Sequence, residues 1–356
     1  MRRILWVLLL CFALLVPASW AQEKQAFSCE TLSADDCLMI NQMPDVMKQL
    51  DSVKISSTMT AEFTNLPEVG SFTLGTIAVD MGVQGGISRW LSLPEAFPAL
   101  ANKPADMRLF FSDLVTETDF DLYIKINFSD TAHRFISATN KNFPQAFDIN
   151  VRMIDGILYL DTRTLKPFMS PDDEAPPADW MAISLIDLVQ KANFEDLKFE
   201  QDFSSLDEFR TQYAVDPFTF NRVEADRSGT ALFRLQFERD KLFGNPKFSD
   251  MLDLFNNFND DPMTDAEKNL VLLFARQMIE ELDFHVDYEL DEASGRLVNN
   301  QVVFYWDVFE AAEAYAANPN LPAPLIIDLG MNMQLSDFNS LSPIETPRDV
   351  YMVPLD

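Results

Sequence analysis

The sequence predicts an α+β protein: an antiparallel sheet with helices laid on one face. Two observations predict it. The first is strict alternation. Residues 119–128 read Asp-Phe-Asp-Leu-Tyr-Ile-Lys-Ile-Asn-Phe, so Phe120, Leu122, Ile124, Ile126 and Phe128 share one side of a strand and the polar residues share the other. Such a sheet has one apolar and one wet face. The second is connectivity: strand signals follow one another through hairpins rather than through regular helical crossovers.

The elements follow in order. Residues 1–21 read as a secretory signal peptide: Arg2 and Arg3, an apolar run over 4–16, and a small-residue exit cut after Ala21. That run is too short to span a bilayer comfortably, so no permanent membrane anchor is expected. Cys11 sits inside the run and leaves with it. Residues 22–52 form a polar lead with a short helix near 42–51. Its Cys29 and Cys37 lie eight positions apart. In an oxidising compartment they are expected to pair, with a modest gain of about 2–3 kcal/mol for so short a loop.

A single domain is expected over 53–348, with 349–356 as a tail. Residues 53–63 and 72–83, rich in Thr, Val and Ile, read as strands. The three prolines of 92–105 predict a loop with one helical turn. Residues 107–115 and 119–128 read as the next strand pair. Phe147, Ile149, Val151 and Met153 alternate up to Asp155-Gly156, and 157–160 returns. Asp-Gly between two apolar runs is the strongest short hairpin signal, because a type I′ turn needs positive φ at both positions.

Residues 166–179 predict a loop, and order resumes over 180–188 with a helix starting near Leu185. A helix is expected at 203–215. Residues 230–238 alternate with Phe233 and Leu235 on the apolar side. Pro246 suits the first turn of a helix over 246–258, whose apolar stripe includes Phe255. Thr264-Asp265-Ala266-Glu267 is a capping box for a helix to about 281, with Phe274 and Met278 on its stripe. Strands at 282–290, carrying Phe284 and Val286, and at 297–308 form a hairpin. Residues 325–335 are the last strand, and 336–356 is irregular.

Composition excludes some partners. The formal charge is −29, from 56 acids against 27 bases. Nucleic acid is therefore not expected as a partner, nor is an anionic membrane surface. With 30 Phe and 47% apolar residues the chain is not disordered.

No catalytic constellation stands out, and an enzyme is not expected. His285, Asp287 and Glu289 share one face of a strand, which reads as a solvated outer face rather than a metal or acid–base site. His133 has no carboxylate or cysteine nearby in sequence, so no zinc site is expected. Asp172-Asp173-Glu174 and Asp260-Asp261 lack the spacing of a calcium loop. No cofactor is implied. Paired carboxylates of a hydrolase need not be close in sequence, and nothing singles out a pair.

The hairpin ending Leu158-Tyr159-Leu160-Asp161, followed by Trp180-Met181-Ala182-Ile183-Ser184-Leu185, resembles the lipoprotein-carrier superfamily of LolA-like proteins, including the exported lipid carriers of the LppX and LprG type. The closing strand at 325–335 with its Pro343…Pro347 tail is also similar. The resemblance implies a strongly curved antiparallel sheet, an incomplete β-barrel, packed over several helices. It implies an exported protein that takes a lipid or other hydrophobic small molecule between sheet and helices, with transient envelope protein partners. The chain departs from the exported carriers in lacking a lipidation cysteine. The expected cavity lining is Phe120, Leu122, Ile124, Ile126, Ile149, Val151, Phe233, Leu235, Phe284 and Val286 from the sheet, with Phe255, Phe274 and Met278 from the helices. The alternative is a structural or adhesion module of the envelope with a filled core.

Overall fold

The computed structural model describes residues 29, 31–66, 70–100, 103–138, 143–168, 176–192, 218–244, 273, 280–307 and 324–355. Helix α1 (Ala34–Lys48) leads into β1 (Ser52–Leu66) and β2 (Gly70–Gln84). Helices α2 (Ile87–Leu100) and α3 (Pro104–Glu117) precede β3 (Asp119–Phe128), α4 (Asp130–Ser137), β4 (Ala146–Ile154) and β5 (Ile157–Asp161). A 3₁₀ turn (Thr162–Phe168), β6 (Trp180–Ser184) and α5 (Leu185–Lys191) follow, then β7 (Phe218–Val223), β8 (Thr230–Phe237) and α6 (Arg239–Gly244). The chain ends with β9 (Glu281–Asp291), β10 (Leu297–Asp307), β11 (Ile326–Ser336) and β12 (Val350–Met352).

Among the described residues, all twelve strands form one sheet in the order β12-β6-β5-β4-β3-β2-β1-β11-β10-β9-β8-β7. Among the described strands, only the β12–β6 pair is parallel. The two edges do not pair with each other, so the sheet is an incomplete barrel, as expected. Asp155 and Gly156 take φ of 50° and 73° at the β4–β5 turn, the conformation a type I′ hairpin requires.

Register carries the alternation across the sheet. Leu235, Val286, Val302, Met331, Met59, Ile77, Ile126 and Phe147 form one continuous row through eight strands. The sheet has two ends. The lower end holds Ser52, Gln84, Asp119 and Leu290; the upper end holds Leu66, Phe128, Ala146 and Asp307.

Helix α1 fills the β7–β11 side of the inner face. Ser33 caps it by accepting from the Asp36 N–H. Ile40, Met43, Met47 and then Leu50 recur at spacings of three and four, so they share one stripe. Those four are 0–5% exposed and pack with Phe220, Phe233, Tyr288 and Leu297. The Cys29–Cys37 disulfide forms. Arg222 at the sheet edge donates to Asp36 of α1 and to Glu292, which ties the helix to β7 and the β9–β10 turn.

The tail crosses the outer face. Asn339 Oδ1 accepts from the Asp51 and Ser52 N–H groups, Gln84 Nε2 donates to the Leu341 and Ser342 carbonyls, and Arg152 Nη1 donates to the Glu345 carbonyl. The tail then ends in β12. Under it, Tyr159, Trp180 and Ala182 pack with Ile154, Ile344 and Val350. The residues that carry the family resemblance therefore build a small outer core.

Several expectations need correction. Residues 107–115 form helix α3, not a strand. Met107 and Leu114 are its buried side chains, spaced seven apart, and Pro104 sits in its first turn where no N–H is needed. The loop expected at 92–105 is mostly helix α2. Pro94 and Pro98 fall within its span, and the packing of Ile87 and Leu91 against the main core outweighs their cost. Helix α1 starts well before 42, at its Ser33 cap. The tail includes strand β12. Strand β7 and helix α4, which carries His133, are additions. The signal peptide and the helices expected at 203–215, 246–258 and 264–281 lie outside the described residues.

Asp161, at the end of β5, is 4% exposed and paired. Burial pushes its carboxyl up, but bonds from the Arg163 side chain (2.7 and 2.9 Å) and backbone N–H (3.0 Å) outweigh that and hold it below the usual carboxylate range. A depressed pKa contributes stability at neutral pH that is lost as pH falls below the ordinary value. Asp161→Asn is expected to lower stability at pH 7 by about 1–3 kcal/mol. In paired denaturant titrations the gap from wild type should shrink below about pH 4; a gap independent of pH would refute the role.

Candidate ligand-binding face

The two sides of the inner face differ. On the β7–β11 side, Phe233 and Val286 are 0% and 6% exposed beneath α1. They were expected to line a cavity; they are instead filled core, because α1 sits on them. Leu235 and Phe284 are half-buried against the same cluster. On the β1–β4 side, Phe120, Leu122, Ile124, Ile126, Ile149 and Val151 are all half-buried, and so are Met59, Ile77, Val79 and Phe147 beside them. Register places Val79, Ile124 and Ile149 in one row and Ile77, Ile126 and Phe147 in the next. Period-two alternation locates this face, but it does not say which side a helix covers. Phe255, Phe274 and Met278 lie outside the described residues.

This face is apolar apart from Ser57, which pairs in register with Met333 and Val79. A further polar group lies within the filled side, on β10. Asn300, 1% exposed, donates from Nδ2 to the Asp287 carbonyl at 3.2 Å, while its Oδ1 has no partner. The upper rim of the β3–β4 side is aromatic, with Phe128, Phe143, Phe147 and Phe168 in mutual contact.

The polar residues of β9 require a correction. His285, Asp287 and Glu289 do share the outer face, but they are 7–9% exposed rather than solvated. Arg234 of β8 clamps Asp287 with two bonds of 2.7 and 2.8 Å, Thr230 donates to Glu289 at 2.9 Å, and His285 Nδ1 lies 2.9 Å from Asp283. Arg234 and Thr230 of the neighbouring strand thus pair the two carboxylates, and Asp283 of the same strand pairs His285, as buried polar groups require. His133 Nε2 lies 2.8 Å from the Phe143 carbonyl. Among the described residues, no group of three His, Cys, Asp or Glu is placed to hold a metal ion.

A cleft of about 650 Å³ lies at the lower end, lined by Lys48, Asp51, Gly85, Gly86, Arg89, Phe110 and Glu117 among others. It carries charges of both signs, and Arg89 spends its guanidinium on Glu117 through two bonds of 3.0 Å. It is a surface notch of mixed lining between α1, α2 and α3, at the lower end of the sheet and away from the half-buried middle of β1–β4.

No family model matches the chain, and no curated protein matches it. Among solved structures the chain is similar to the Mycobacterium tuberculosis lipoprotein LppX, at 9% identity and a TM-score of 0.28, over 86% of this chain and 97% of that one. So loose a likeness transfers no residue roles.

Proposed function

We propose that the protein binds a lipid or other long apolar ligand on the inner face of β1–β4, without catalysis. One contrast carries this: on the same continuous apolar face Phe233, Tyr288, Leu290 and Leu297 are filled core beneath α1, while Met59, Ile77, Val79, Ile124, Ile126, Phe147 and Ile149 in the middle of β1–β4 are half-buried. Half-buried Met, Ile and Phe rows on one surface are what an adaptable apolar binding face needs. A structural module with a filled core would instead show burial like that beneath α1 throughout.

The driving force is burial. An acyl chain of roughly 400 Å² gives a gross term near 10 kcal/mol at about 25 cal/mol per Å², from which association entropy must be subtracted. Micromolar affinity is the expected net result. Export and transient envelope partners belong to the same proposal, supported by the leader-like residues 1–21 and the disulfide. Among the described residues, no helix is long and apolar enough to cross a membrane.

A naturally fluorescent polyene fatty acid, titrated into the mature chain, tests this. Saturable enhancement displaced by an unlabelled lipid is expected. A linear response that no competitor displaces would reject the proposal.

A further inference from the structure

We infer that Ser57 hydrogen-bonds an uncharged oxygen set part-way along the bound chain, which makes the ligand an internally oxygenated lipid rather than a plain acyl chain. The inference rests on the ligand-binding reading above. Ser57 lies on the inner face of β1, in one row with Met333 of β11 and with Val79, Ile124 and Ile149. On its own strand the residues two before and two after, Ile55 and Met59, share that face. Its immediate neighbours on the face are thus all apolar. The side chain is half-buried, and among the described residues nothing bonds its hydroxyl. The next polar side chain in the row is Asn300, beyond Met333. Asn300 is 1% exposed within the filled side and donates to the Asp287 carbonyl. It is closed to a ligand; Ser57 is not.

An apolar chain laid over this row takes water from the Ser57 hydroxyl and returns no bond, which penalises binding. A ligand oxygen placed there replaces the lost water. A hydroxyl both donates and accepts, so it suits a ligand hydroxyl or carbonyl. An ionised group does not suit it, because a charge set among Ile55, Met59, Val79 and Met333 would stay unpaired. Position sets the rest. The row below holds Ile55, Met81 and Leu122, and the row above holds Met59, Ile77 and Ile126, all half-buried. Apolar surface therefore runs both ways from Ser57, and the ligand has apolar length on both sides of its oxygen.

Competition against the bound polyene fatty acid tests this. The competitors are stearic acid and its mid-chain hydroxy and oxo derivatives, on wild type, Ser57→Ala and Ser57→Thr. Wild type and Ser57→Thr, which keep the hydroxyl, are expected to favour an oxygenated acid over stearic acid by about tenfold. Ser57→Ala should lose that preference while binding stearic acid at least as well as wild type. Preference for both derivatives identifies the ligand oxygen as an acceptor, and preference for the hydroxy acid alone as a donor; either, lost in Ser57→Ala, supports the inference. An equal loss for all three acids in Ser57→Ala shows a packing role. No preference in wild type, or the same preference in Ser57→Ala, shows that Ser57 meets no ligand oxygen. Each of these overturns the inference and leaves the apolar face as a binding site. No saturable binding of any acid by wild type removes the ligand-binding reading and this inference with it.

Discussion

Ile124→Asp is expected to weaken fatty-acid binding about a hundredfold, because a carboxylate on the apolar face must be desolvated by the incoming chain. Ile124 lies at the middle of the half-buried face, between Val79 and Ile149. Tyr123→Asp, one residue away, adds the same charge to the same strand. Tyr123 points to the outer face and is 36% exposed, so its variant is expected to bind like wild type. The pair places the same new carboxylate at adjacent positions of one strand, on opposite faces. Far-ultraviolet circular dichroism checks that both remain folded. Equal losses in the two variants would show that the ligand does not lie on the inner face.

The second large effect is on stability. Gly75→Ala is expected to destabilise the protein by about 3 kcal/mol or more, through a strained backbone and a clash together. Gly75 takes φ of 113° where β2 is irregular against β1, and an added Cβ would lie 2.0 Å from the Asn127 carbonyl oxygen and 2.8 Å from the Ser129 nitrogen. Both are backbone atoms and cannot swing aside. Gly229 also has positive φ, at 83°, with nothing within 4 Å of its added Cβ. Gly229→Ala therefore isolates the conformational term, and should cost only about 1 kcal/mol. Denaturant midpoints of the two variants measure the difference. Because Gly75 lies against the β3–α4 junction, its substitution should also shift α4 and the aromatic rim.

Much of this fold is legible in the sequence, for identifiable reasons. Strand β3 and the β4–β5 hairpin match their expected spans because alternation and Asp-Gly turn chemistry act locally. The disulfide follows from two nearby thiols. Helix α3 was missed because Met107, Phe110, Phe111 and Leu114 are as apolar as a short strand, and only their helical spacing tells the two apart. The tail over the outer face has no periodicity at all. Side chains from distant strands, Gln84 and Arg152, hold it through its backbone carbonyls.

The candidate site was half legible. Parity placed Ile124, Ile126 and Ile149 on one face with Phe233 and Val286. Which of them stay half-buried depends on where α1 packs, and its stripe of Ile40, Met43 and Met47 is interrupted in sequence by Pro44. Parity likewise set His285, Asp287 and Glu289 on one face, yet could not reveal that Arg234 and Thr230 would cover them.

Native mass spectrometry of the protein, purified without detergent from the envelope of cells that make it, tests ligand binding most directly. A mass above that of the polypeptide itself, lost on extraction with organic solvent and absent from Ile124→Asp, is the expected result. A clean apo mass for wild type, together with no saturable fatty-acid uptake, contradicts it and leaves the β1–β4 face as structure alone.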